Sequence, residues 1–83
     1  MENRPYKEKG EIRTFSQNIN EEELVCHKDR EDRIVDPINN TDWMIQFDNE
    51  LPRNITRLLF IPKNTYHRLI KGTGDLIIRV KKL

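Results

Sequence analysis

Apolar residues in this chain recur at every second position in short runs, and Pro, Gly and Asn separate the runs. Side chains of a strand alternate between two faces. Residues 42–48, DWMIQFD, therefore put Trp43, Ile45 and Phe47 on one face, and residues 76–83, LIIRVKKL, align Leu76, Ile78 and Val80. The same habit in shorter form covers residues 11–15, 23–29, 32–38, 56–62 and 66–71. In 23–29, ELVCHKD, it sets Val25, His27 and Asp29 on one face and Leu24, Cys26 and Lys28 on the other. The polar stretch SQNINEEE between the first two runs predicts a turn or one helical turn capped by Asn20. Residues 1–10 are polar and contain Pro5 and Gly10, which predicts a flexible lead-in before one domain over 11–83.

No segment of helical length shows a 3.6-residue period. About seven short strands, with turn signals every ~8–12 residues, predict an all-β fold, a small antiparallel sandwich or barrel.

A length of 83 residues allows one core and no second domain. Such a chain buries only ~60% of its unfolded surface, so pairing with further copies into a homo-oligomer is expected. Charged residues are 35% of the total, but 15 Lys and Arg nearly cancel 14 Asp and Glu. A net charge of +1 offers no general attraction to nucleic acid, although RNITR and RVKKL are locally basic. Cys26 is the only cysteine and can make no internal disulfide. No run approaches the ~20 apolar residues that span a bilayer, and the first residues lack a signal-like apolar stretch. The expectation is a cytoplasmic protein that makes no contact with membrane.

Candidate chemistry centres on the two histidines. Gly72 and Gly74 in KGTGD join two strands and precede no helix, so they read as hairpin residues and not as a phosphate loop. Cys26 and His27 are sequence neighbours that face opposite sides of a strand, which disfavours a nucleophilic pair.

The block FIPKNTYHRLIKGTGDL resembles the second conserved motif of the cupin superfamily, in which a strand ends in proline, a glycine follows two residues later and a histidine three after that. Pro62, Asn64 and His67 stand at those positions. Asn64 replaces the glycine, and Asn is the residue next most tolerant of a left-handed backbone. The first cupin motif is matched only loosely. With His27 as its first histidine, Asp29 takes the second position and Arg33 or Ile34 the place of the glutamate, and a guanidinium cannot ligate a metal. The chain also resembles small cupin-like proteins of large tailed phages.

That resemblance implies a β-barrel with His27, Asp29 and His67 at its mouth, and three classes of function follow. The preferred reading is a non-enzymatic binding module without a cofactor, one that holds a small anionic ligand or inhibits a host protein. In it Arg33 makes a bidentate pair with Asp29 or Asp32 and supplies the counter-charge to a bound anion, His27 and His67 act as donors, and Trp43 forms the apolar wall. The alternative is an enzyme of dioxygenase or isomerase type with Fe, Mn or Zn on His27, Asp29 and His67. A third reading is a structural or assembly subunit of a virion, its edges formed by residues 11–15 and 76–83.

Overall fold

The structure is a computed structural model that describes residues 4–83. Its strands are β1 (Lys7–Lys9), β2 (Ile12–Phe15), β3 (Arg33–Pro37), β4 (Met44–Phe47), β5 (Arg53–Asn54), β6 (Leu59–Ile61), β7 (His67–Ile70) and β8 (Leu76–Lys82). One sheet has the order β1-β2-β8-β3-β6 and the other β5-β4-β7, and every pairing is antiparallel. The two sheets do not close into a barrel; they share one core as an all-β sandwich.

Period-two alternation decides what fills that core. Leu76, Ile78 and Val80 point inward from β8 and Ile45 and Phe47 from β4, with Trp43 just ahead of them, all under a tenth exposed. Val35, Leu59 and Ile61 join them from β3 and β6. The faces read from 42–48 and 76–83 are therefore the faces that pack. The 3-10 turn Glu21–Glu23 also forms where expected, with the Asn20 side chain accepting a hydrogen bond from the Glu22 backbone N–H. Among the described residues no helix is long and apolar enough to cross a membrane.

Residues 11–15 and 76–83, expected as edges, form strands interior to the five-stranded sheet, because β2 pairs with both β1 and β8 and β8 with both β2 and β3; its edges are β1 and β6. Two further expectations are corrected. Residues 23–29 form no strand; beyond the 3-10 turn this segment is irregular and, among the described residues, joins a sheet's backbone ladder only where His27 bridges to His67. A single bridge suffices because the segment's downstream end is tied by other means, described below. The lead-in is the second correction, since Lys7–Lys9 pairs with Ile12–Phe15 as a hairpin. Gly10, at φ 60°, supplies the first position of its two-residue loop. Tyr6 then stacks on Phe15 with ring centroids 5.2 Å apart. Residues 1–3 of the expected lead-in lie outside the described residues.

The turn between β7 and β8 is pinned onto the start of β4. Asp42 accepts hydrogen bonds from the Thr73 backbone N–H and hydroxyl at 2.8 and 2.9 Å, and the Trp43 indole N–H donates to the Gly74 carbonyl at 2.9 Å. Gly72 sits so close that a Cβ there would collide with the Asp42 carboxylate and approach the Trp43 backbone nitrogen to 2.7 Å. Gly72→Ala should destabilise the fold by about 1–3 kcal/mol, because backbone must move to admit the methyl group. Gly74→Ala meets nothing within 4 Å and is strained only through its φ of 72°. Urea unfolding of both variants distinguishes the crowding from the backbone effect.

Candidate metal and ligand site

His67 opens β7, and alternation turns it inward beside Phe47, its register partner on β4. Arg33 opens β3 and alternates onto the same inward face as the buried Val35. His27 and Asp29 come from the irregular segment, so main-chain bonds must position them. His27 and His67 exchange both backbone N–H···O bonds, at 2.9 and 2.8 Å. The turn after β6 holds the rest: the Asn64 N–H donates to the Asp29 carbonyl at 2.7 Å and the Lys63 N–H to the Asp32 carboxylate at 2.8 Å. Asn64 reaches that carbonyl in a left-handed conformation, φ 60°, which Asn tolerates better than most residues.

The four polar side chains meet at one point. The imidazole centroids of His27 and His67 are 4.5 Å apart. His27 Nε2 lies 3.6 Å from Asp29 Oδ1, and His67 Nε2 lies 3.5 Å from Asp29 Oδ2. His67 is 4% exposed and Asp29 9%, whereas the His27 side chain is about half exposed. The site thus runs from the surface into the interior.

The protonation pattern follows from the other ring nitrogens. His27 Nδ1 is 2.9 Å from the Val25 carbonyl and His67 Nδ1 is 2.8 Å from the Thr65 carbonyl. A carbonyl oxygen only accepts, so each Nδ1 carries the hydrogen, and in a neutral ring Nε2 presents its lone pair. Burial holds the His67 pKa below its ordinary value of 6.5, against the hydrogen bond to Thr65 and the nearby Asp29 carboxylate, both of which raise it. Neutral His67 is therefore the form at pH 7. Its lone pair faces a carboxylate oxygen, Asp29 Oδ2, that is itself buried without a hydrogen-bond partner. A cation placed between these two acceptors would satisfy both.

Arg33 does not supply that cation directly. Its Nε and Nη2 both donate to Glu31 Oε1, at 2.9 and 2.6 Å, while Nη1 stays 3.4 Å from Asp29 Oδ1. The expected bidentate pair with Asp29 or Asp32 is thus replaced by Glu31, two residues away on the same chain. That hydrogen bond is the main cause holding the Glu31 carboxyl below the usual carboxylate range. Glu31 was not legible as a partner, because residues i and i+2 point the same way only in an extended backbone.

Beyond the polar cluster lies a chamber of about 370 Å³ between the sheets. His27, Asp29, Arg33 and His67 line one part of it, and core side chains such as Ile45, Leu59, Ile61 and Ile78 line the rest. Trp43 is not among the lining residues; it is fully buried and committed to Gly74. The apolar wall assigned to Trp43 is built by aliphatic residues of both sheets. Cys26 is exposed, and Tyr66 faces solvent with the Lys28 ammonium 5.3 Å from its ring centroid, so neither takes part.

No family model matches the chain, and no curated protein or solved structure matches it.

Two outcomes are expected of the site's scaffold. Asn64→Gly should leave stability nearly unchanged, whereas Asn64→Val should cost about 1–2 kcal/mol because a β-branched residue resists the left-handed backbone; thermal unfolding of both variants checks this. The second concerns pH in the metal-free protein. A folded-state pKa below the unfolded one means that the unfolded chain takes up the proton first, so stability is complete above pH 6.5 and falls as pH drops toward the lowered value. His67→Asn should flatten the slope in that window, measured by urea unfolding in the presence of a chelator.

Proposed function

We propose that this chain is a cupin-like binding module in which His27, Asp29 and His67 hold a divalent transition metal and the metal, with Arg33, receives a small anionic ligand. The observation that carries this is the convergence of two Nε2 lone pairs on a nearly buried carboxylate whose Oδ2 has no hydrogen-bond partner. One ligand atom from each residue lies within 4.8 Å of the others. Metal bonds of about 2.0–2.1 Å at tetrahedral angles set neighbouring ligand atoms about 3.3 Å apart. His27 Nε2 lies 3.6 Å from Asp29 Oδ1 and His67 Nε2 3.5 Å from Oδ2, so each imidazole is near that spacing through a different carboxylate oxygen, and small side-chain rotations would bring the set together.

The surroundings fit the donor set. Carbonyl oxygens behind both imidazoles fix their tautomers and orient the rings, as outer partners of metal-bound histidines commonly do. Two histidines and one carboxylate suit Zn, Fe or Mn, and leave further coordination positions for a ligand. Bound there, the ion would act as a Lewis acid and anchor an anion. The repulsion expected from Arg33 is reduced because Glu31 neutralises it at 2.6 Å.

Elemental mass spectrometry on untagged protein, after addition of zinc and gel filtration, tests the assignment. One equivalent of zinc per chain is expected, reduced at least tenfold in His67→Ala and in Asp29→Asn. Wild-type protein that emerges free of metal, or variants that retain it, would remove the metal from the reading.

A further inference from the structure

We infer that the chamber behind the proposed metal site takes an amphipathic monocarboxylate, with its carboxylate at the His27–Asp29–His67–Arg33 end and an apolar body between the two sheets. This rests on the metal reading given above and adds the class of ligand. Three features of the molecule carry it.

The first is the distribution of polarity. The polar lining groups are His27, Asp29, Arg33 and His67, joined by Arg13 and Glu23, whereas the residues contributed by the core are aliphatic or aromatic. Arg13 is already paired with Glu8 at 3.1 Å. A ligand with hydroxyl groups along its length, such as a sugar, would leave them without partners among Ile55, Leu59, Ile61, Ile78 and Val80. An apolar body loses nothing there.

The second is volume. The chamber, at about 370 Å³, is more than twice the ~150 Å³ that accommodates benzene in an engineered apolar cavity. Protein interiors are close-packed, and a core this small has few side chains with which to surround empty space. Its inner end is walled by Val35, Ile45 and Ile78, all under a tenth exposed, while its other end opens to solvent. Lining residues that reach solvent, among them Tyr6, Leu24 and Val25, mark the way in.

The third is charge. Asp29, Glu31 and Arg33 together leave one negative charge at the polar end. A divalent ion turns that into one positive charge, which a single carboxylate cancels and an amine does not. Arg33 Nη1, with Nε and Nη2 committed to Glu31, is the guanidinium nitrogen directed at the site. The metal and Nη1 provide two adjacent points for the two carboxylate oxygens.

Calorimetry on protein first loaded with zinc, using octanoate as probe, tests the inference. Octanoate should bind with one-to-one stoichiometry and at least tenfold more tightly than acetate, octan-1-ol or octylamine. Acetate lacks the apolar body, and the other two lack the negative charge. Val80→Phe, which fills the chamber away from the polar groups, should abolish octanoate binding while zinc stays stoichiometric. Arg33→Gln should weaken octanoate several-fold and leave octan-1-ol unchanged, and it keeps the test decisive if Val80→Phe does not fold. Octanoate no tighter than acetate or octan-1-ol, in protein carrying one zinc, overturns the ligand class and leaves the metal site standing. Failure to load zinc, seen before any octanoate is added, overturns both, because the polar end then keeps its negative charge.

Discussion

Everything at the polar end of this molecule depends on one pair of backbone hydrogen bonds, the reciprocal exchange between His27 and His67. Among the described residues it is the only ladder contact of the irregular segment that carries His27 and Asp29. By bringing two backbones to bonding distance it also brings two imidazoles to a centroid separation of 4.5 Å. Each ring then donates Nδ1–H to a carbonyl two residues earlier, and the remaining lone pairs turn toward Asp29. The turn at residues 62–65 completes the arrangement from the other side, since its N–H groups take up the Asp29 carbonyl and the Asp32 carboxylate. A rigid pair of strands would have offered less freedom to aim Asp29 between the rings.

The same molecule leaves part of its interior open. Core residues of both sheets serve at once as packing partners and as chamber lining, which a chain of 83 residues can sustain only at modest stability. The opposing anchors are local and specific: Asp42 and Trp43 fix the β7–β8 turn, and Tyr6, Phe15 and Trp43 form a run of tilted aromatic contacts from the β1–β2 hairpin into the core. A ligand bound only by the folded state would add to stability by mass action.

Arg33 shows how a charge changes meaning with its partner. Considered alone, its permanent positive charge argues against a metal beside it. With Glu31 bound to two of its nitrogens it is one half of a neutral pair, and its third nitrogen becomes a directional group beside Asp29. The electrostatics of the site therefore rest on a residue that had no part in the motif.

The strands within the runs 11–15, 32–38, 42–48, 56–62, 66–71 and 76–83, and the inward faces of 42–48 and 76–83, were determined by the sequence itself, because alternation with period two and the preferences of Pro, Gly and Asn act over a few residues. Tertiary structure alone decided that residues 23–29 would stay irregular, that Lys7–Lys9 would pair, that Trp43 would serve the β7–β8 turn and that aliphatic residues would wall the chamber. Each of these depends on which backbone or side chain lies opposite. An alternating run at 23–29 satisfies a strand pattern, but a strand needs a partner along its length, and β7 meets this segment only at His67. The proximity of His27 to His67 across forty residues of chain belongs to the same class, since long-range pairing is settled by the packing of whole sheets and leaves no mark on the local pattern.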